Sequence, residues 1–382
     1  MPSRSRFTAE VSAASGTGQS PRIWLIVGDR LGDNAQAETL MTALGLPFER
    51  RYVRVKAPWI KGKPKVEPSL HHLDLDASDP LEAPWPDVVV TVGRRLTLVA
   101  RWVQEQSGGR SRIYLIGKPS GSPRFYDLII TSAEIQIPPA HNVYPIGLPL
   151  LQVDRERVRQ AAGEWRDRFA SLPRPLVGIL IGGPTNPFVF NRSVTQRLLK
   201  IARNVRERGG TPYFTTSPRT PPAATAALRH QLPSGAEFFE WHRGASNNPY
   251  HALLGLADEF VVTGESVSML VEVAQLGRPL AIFPLPFSTL GKLDQLRRRA
   301  ARWLYRPDQG ASLDSLRSRI RSLGSALHLL PRTRDFTAVH DLLMERGLAV
   351  SAGGEIPPPQ GSLPDDLSGV VARIRSELLS PD

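Results

Sequence analysis

Short runs of consecutive apolar residues, each followed by a helical pattern, recur along most of this chain. Ile23–Val27, Asp87–Val92, Leu176–Ile181 and Glu259–Thr263 are the clearest. A strand with one wet face alternates polar and apolar side chains. A strand that is apolar throughout is covered on both faces. Strands of this kind separated by helices imply parallel sheets with helices on each side.

The runs fall into two series. The first has strands expected at 23–27, 52–55, 87–92, 113–116, 128–130 and 142–146, with helices over Asp33–Leu44 and Arg95–Gln106. A charged helix, Asp154–Phe169, then interrupts the pattern before Pro173 and Pro175. The second has strands at 176–181, 212–216, 238–240, 259–263 and 280–283, with helices over Ser193–Arg208, Pro222–Gln231 and Tyr250–Ala257. Helical stretches at 292–304, 336–346 and 367–379 follow, the last after a Pro/Gly loop over 351–365. The expected fold is α/β: two Rossmann-like, doubly wound parallel-sheet domains facing across a cleft. The expected boundaries are a disordered tail over 1–22, an N-terminal domain over 23–150 and a connector over 151–175. A C-terminal nucleotide-binding domain follows over 176–305, then helices and a Pro/Gly-rich tail over 306–382.

The 382 residues suffice for two full cores. No apolar run approaches the roughly 18 residues a membrane span needs. The first 22 residues lack an apolar signal core, and their Ser- and Arg-rich composition also suits a transit peptide. With no export signal, the expected compartment is the cytoplasm, with peripheral docking on the inner face of a membrane. No cysteine is present, which excludes disulfides and thiolate chemistry. The formal charge of +12 favours anionic partners. Basic residues interleaved with aromatics are missing, so nucleic acid is not an expected partner.

Open parallel sheets bind ligands at the C-terminal ends of their strands, so the turns there are the candidate sites. The turn Gly28-Asp-Arg-Leu-Gly32-Asp33 is glycine-rich but is not the G-x-G-x-x-G dinucleotide fingerprint, which disfavours NAD. Asp33 with Gln36 reads as a capping box. Asp29 and Asp33 are candidate acidic groups facing the cleft. Gly93-Arg94-Arg95 puts two cations at a helix start, a cost that an anion bound there would offset. Gly182-Gly183-Pro184-Thr185 lets backbone approach a ligand closely. Thr215–Thr220 offers hydroxyls and the Arg219 guanidinium, which suit phosphate.

The most informative turn is Thr263–Pro279. Val267, Leu270, Val271 and Ala274 form the apolar face of a helix, with Glu265, Ser268 and Glu272 opposite. Ser266 reads as the N-cap. His71, His72, Asp74 and Asp76 lie in a Pro-flanked stretch with no helix to fix ligands, so no metal site is expected. No metalloprotease, P-loop or nucleophile-elbow motif occurs.

Glu272, Gly277 and Pro279, after a strand, turn and helix, resemble the donor site of GT-B glycosyltransferases, closest to those acting on lipid-linked acceptors. Gly264-Glu265-Ser266 and Met269 depart from that pattern, and Glu265 places a negative charge where a phosphate would sit. A longer resemblance is to the ELM1-like family, named for a plant mitochondrial fission factor and mostly represented by uncharacterised bacterial proteins. Its blocks are matched by Trp24 with Gly28-Asp29, Gly32-Asp33 and Gln36; by Gly93-Arg94-Arg95; by Gly182-Gly183-Pro184; by Thr216-Ser217 with Arg219-Thr220; and by Thr263–Met269.

These resemblances imply a GT-B-like protein binding a nucleotide sugar, of UDP type, with no covalent cofactor and glycosyl transfer to a lipid-linked or envelope acceptor. Glu272 would hold the ribose, and Gly183, Ser217, Arg219, Ser266 and Ser268 would line the phosphates. Gly28, Gly32, Arg94, Gly182, Gly264 and Glu265 complete the expected binding set, and Asp29 or Asp33 would serve as the acceptor-side base. Helix dipoles and Arg219 offsetting the leaving diphosphate would make transfer metal-independent. The alternative is a non-enzymatic adaptor at an anionic membrane surface, suggested by the +12 charge and the stretch Pro58–Lys65.

Overall fold

The computed structural model describes residues 20–61, 67–305, 317, 319–320 and 333–379. Most of the expected disordered tail, the second half of Pro58–Lys65 and much of 306–332 lie outside the described residues.

The first half contains β1 (Ile23–Val27), β2 (Glu49–Tyr52), β3 (Arg54–Val55), β4 (Leu73–Asp74), β5 (Val88–Val92), β6 (Arg112–Ile116), β7 (Leu128–Thr131), β8 (Ile135–Gln136) and β9 (Val143–Pro145). Its helices are α1 (Leu31–Leu44), α2 (Ala57–Lys61) and α3 (Arg94–Gln106). The second half contains β10 (Leu176–Leu180), β11 (Thr211–Thr215), β12 (Glu237–Phe239), β13 (Glu259–Thr263), β14 (Leu280–Phe283), β15 (Thr333–Arg334) and β16 (Val350–Ser351). Its helices are α4 (Arg155–Ala170), α5 (Arg192–Glu207), α6 (Pro222–Gln231), α7 (Tyr250–Leu256), α8 (Val267–Gln275) and α9 (Thr289–Tyr305).

Two six-stranded sheets result, ordered β2-β1-β5-β6-β7-β9 and β12-β11-β10-β13-β14-β16, and every pairing within them is parallel. The chain winds outward one way from β1 or β10, then returns to build the other side. Each sheet therefore has a switch point, between β1 and β5 and between β10 and β13, where a crevice opens. This is the GT-B-like pair of Rossmann-like domains expected above.

The apolar runs divide across the sheets as a period of two requires. Ile23, Leu25 and Val27 pack on one face with α1, while Trp24 and Ile26 pack on the other with α3. Burying roughly 1.5–3 kcal/mol of transfer free energy per large side chain on both faces leaves no solvated alternative for these strands.

Three details differ from the sequence-based expectation. Residues 52–55 do not form one strand. The Tyr52 N–H is taken by Asp79 Oδ2 (2.7 Å) and the Arg54 N–H by Ser78 Oγ (2.9 Å). The chain thus leaves the main sheet, and β3 pairs antiparallel with β4. Asp33 and Gln36 form no capping box, because α1 begins at Leu31 with Arg30 as N-cap and no side-chain cap. Ser266 is the N-cap residue of α8, yet its hydroxyl does not cap the helix.

The C-terminal helix Asp366–Leu379 returns to the N-terminal domain. Val370 and Ile374 are fully buried beside Leu40, Met41 and Leu44 of α1. Arg375 donates to the Leu44 carbonyl (2.8 Å), and Asp366 accepts the Gly147 N–H (2.8 Å). On the other side of the chain crossing, Gln275 accepts the Val153 N–H (2.8 Å), and α4 packs on α7 in the C-terminal domain.

Candidate functional site

The candidate residues gather into two clusters, one at the switch point of each sheet. On the N-terminal domain, Gly28 is buried after β1, and its turn is held by Asn34. The Asn34 Oδ1 accepts the Gly28 N–H (3.1 Å) and its Nδ2 donates to the Gly28 carbonyl (2.7 Å). Asp29 is exposed and accepts from the Tyr52 hydroxyl (2.5 Å) and the Val55 N–H (3.3 Å). Gly32 lies within α1, and a Cβ there would meet nothing within 4 Å.

Asp33 lies in the first turn of α1, with its carboxylate against Gly93. A Cβ at Gly93 would meet Asp33 Oδ2 at 3.2 Å, and the φ of +80° there also favours glycine. Burial pushes the Asp33 carboxyl above the ordinary range, against the opposing pull of Arg30, Arg334 and Arg95. Arg94 is exposed at the start of α3, while Arg95 donates to the Trp59 carbonyl (2.7 Å) and is partly desolvated, which lowers its pKa.

A cavity of about 760 Å³ opens over this cluster. Gly28, Asp29, Asp33 and Gly93–Arg95 line it, together with Arg54 and Lys56 from beyond β2 and Arg243 from the C-terminal domain. A second cavity of about 600 Å³ continues from it past Arg30, Asp33 and Arg94 toward Lys118, Glu134 and Arg334.

The C-terminal cluster is closed. The Glu265 carboxylate, 3% exposed, turns onto the Gly182-Gly183 turn. Its Oε1 accepts the Gly183 N–H (2.8 Å), the Ser266 hydroxyl (2.8 Å) and the Thr263 hydroxyl (3.1 Å). A Cβ at Gly182 would overlap Glu265 Oε1 and Ser266 Oγ, and one at Gly183 would overlap the Arg219 carbonyl. The helical spacing places Glu265 on a free polar face with Ser268 and Glu272, but Glu265 precedes the helix, and the turn directs its carboxylate inward.

Arg219 donates to Thr185 Oγ1 (2.6 Å) and reaches Ser266 Oγ at 3.4 Å. Ser217 accepts the Arg219 N–H (3.3 Å) and meets Thr220 Oγ1 at 3.2 Å. Thr220 in turn donates to the Gly182 carbonyl (2.5 Å). Gly264 presents its carbonyl to buried His340 Nε2 (2.5 Å), which fixes that ring nitrogen as the protonated one. Ser268 is exposed on the first turn of α8. Glu272, one turn further along, accepts the Tyr250 hydroxyl (2.8 Å). Burial raises the Glu272 carboxyl above its ordinary range, partly offset by that bond.

Several members of these clusters lie beyond sequence reasoning. Tyr250 is 22 residues from Glu272, and nothing in a single sequence links them. Arg243 and His340 reach their places only through tertiary packing. Asn34 had a local signal, since an Asn after a glycine turn commonly bonds nearby backbone.

Comparison with known proteins gives a family model, described as Mitochondrial fission ELM1, that matches residues 32–310. The chain is 26% identical over 226 residues to the mitochondrial fission protein ELM1 of Arabidopsis thaliana, across 52% of this chain. That match spans 51% of the Arabidopsis protein, about half its length. It is 21% identical over 305 residues to an uncharacterized protein of Rickettsia prowazekii, across 70% of this chain and 85% of that protein. Among solved structures, the UDP-GlcNAc 2-epimerase of Methanocaldococcus jannaschii, in complex with UDP-GlcNAc and UDP, is similar with a TM-score of 0.48 and 11% identity. That similarity covers 93% of this chain and 99% of the epimerase.

Proposed function

The chain belongs to the mitochondrial fission ELM1 family, and from that premise we propose that it binds a nucleotide-activated sugar between its two domains and transfers the sugar. The observation that carries this reading is the grouping of Arg219, Ser268 and the N-terminus of α8 at one switch point, with Glu272 a turn away. Backbone N–H groups at a helix start and a guanidinium suit a diphosphate, and a carboxylate suits paired ribose hydroxyls.

In this mechanism an acceptor hydroxyl oxygen bonds to the anomeric carbon as the bond to the nucleotide diphosphate breaks. The hydroxyl proton passes to Asp33 or Asp29. The departing diphosphate's charge is met by Arg219, Ser268 and the α8 N–H groups, while the Gly183 N–H and the Ser266 hydroxyl stay with Glu265. Glu265 shapes the Gly182-Gly183 turn from behind.

Thermal shift and calorimetry with uridine, guanosine and cytidine sugar conjugates test the reading. At least one conjugate is expected to stabilise the protein, by about 2.7 kcal/mol at a hundredfold excess over Kd. Glu272→Ala is expected to weaken that binding about tenfold or more, since hydrogen bonds to charged groups contribute about 1.5–3 kcal/mol. Absence of binding by every conjugate would overturn it.

A second reading, a non-catalytic adaptor at a membrane surface, is favoured by the name of the Arabidopsis relative and the +12 charge. No helix among the described residues is long and apolar enough to cross a membrane. If Glu272→Ala leaves function intact while removal of surface cations abolishes it, the adaptor reading prevails.

A further inference from the structure

Cations on this protein commonly meet carboxylates. Arg22 pairs with Glu49 at 2.6 Å, Arg50 with Glu38 at 2.9 Å, Arg174 with Asp258 at 2.9 Å and Arg208 with Glu259 at 2.9 Å. The N-terminal cavity departs from this pattern. Arg54, Arg94 and Arg243 all line it, and none of them makes an ion pair among the described residues. Arg30 keeps only a loose 3.8 Å contact with Asp33. Lys56 donates to a backbone carbonyl, that of His71, at 3.2 Å. Six cations thus line the cavity against Asp29, Asp33 and Asp74, and Arg54, Arg94 and Arg243 among them make no ion pair with these carboxylates.

Unquenched guanidinium groups converging on one concave space repel one another, a cost that a bound anion removes. Planar guanidinium forks fit phosphate oxygens in pairs. The volume of about 760 Å³ matches a small-molecule site, and the cavity lies at the switch point where an open parallel sheet holds ligands. Arg243 comes from the loop after β12, so one anion can engage both domains.

We propose that this groove is a binding site for a phosphate-bearing molecule, gripped by Arg94 and Arg54 from the N-terminal domain and Arg243 from the other. The site stands by itself as an anion site. Naming its occupant the sugar acceptor rests on the transfer reading above. In that role the phosphate anchors the acceptor while a hydroxyl of the same molecule lies toward Asp33. The phosphate can be that of a soluble ester or of a lipid headgroup.

Isothermal titration of the full chain with pyrophosphate tests the site, with Arg94→Ala, Arg54→Ala, their double variant and Arg219→Ala. Arg54 and Arg94 are exposed, so unchanged Tm values are expected to separate binding from folding. Each single change in the groove is expected to weaken pyrophosphate about tenfold, and the pair by about a hundredfold. In an Arg219→Ala background, which removes the guanidinium contact to a diphosphate at the C-terminal switch point, the same losses on changing Arg94 and Arg54 are expected. Cosedimentation with phosphatidylcholine vesicles, with and without phosphatidic acid, distinguishes the source. Binding of the acidic vesicles that the double variant loses assigns a lipid phosphate. Pyrophosphate binding without vesicle binding assigns a soluble one. Titrations identical in wild type and double variant, or lost in Arg219→Ala instead, would overturn the proposal. Failure of every nucleotide sugar to bind, with pyrophosphate still held through Arg94, would sink the transfer reading and leave this site standing.

Discussion

The two switch points occupy equivalent places in two similar sheets, yet they are finished in opposite ways. At the C-terminal one, Glu265 supplies an anion from within the chain, and the Gly182-Gly183 turn, Thr263 and Ser266 close around it. At the N-terminal one, Arg54, Arg94 and Arg243 surround open space. The Gly183 N–H and the Thr263 and Ser266 hydroxyls are thereby committed to structure, and removing Glu265 leaves them buried and unpaired, while Arg219 and Ser268 beside them stay exposed. Charges left without partners at a cavity cost stability and are available to a ligand.

The comparison breaks most readily at the glycines. Gly182→Ala is expected to destabilise the protein by about 3 kcal/mol or more, because its Cβ overlaps Glu265 and Ser266 and the backbone must move. Gly32→Ala, in open space on α1, is expected to gain about 0.5 kcal/mol. Urea midpoints measure both, and equal effects would mean that the two turns are built alike.

Charge removal sharpens the same contrast. Glu265→Ala strips one acceptor from three donors and is expected to cost about 2 kcal/mol. The exposed Arg94→Ala is expected to stay within about 0.5 kcal/mol of wild type. A large loss from Arg94→Ala would show that the groove cations hold the fold.

The smallest effect concerns acid. Burial holds His340, His72 and His251 below the ordinary histidine value of 6.5. Below pH 6.5 the unfolded chain takes up protons that the folded one refuses, so stability falls as pH falls through that value. Urea midpoints at pH 5 and pH 7.5 are expected to differ in that direction, by less in a His340→Gln variant. No change in the slope would show that Gly264 does not depend on neutral His340.

The sheets were legible because runs such as Val88–Val92 and Ile23–Val27 are buried on both faces, a pattern that only covered parallel strands satisfy. The polar turns were legible for the same reason, since they follow those strands. The direction of Glu265 was not. Helical spacing groups it with Glu272, but it stands before α8, where backbone geometry rather than periodicity sets the side chain's course. The return of the C-terminal helix was equally hidden, because the apolar face carrying Val370 and Ile374 states a need for burial without naming α1 as partner.

The chain's own order of residues thus determined that two parallel sheets form and which turns crown them, because local periodicity and burial on two faces are written in neighbouring residues. Tertiary structure alone decided that one crown is filled by Glu265 while the other stays open among Arg54, Arg94 and Arg243. Those outcomes depend on contacts between residues far apart in sequence, where charge and space are settled only once the domains have packed.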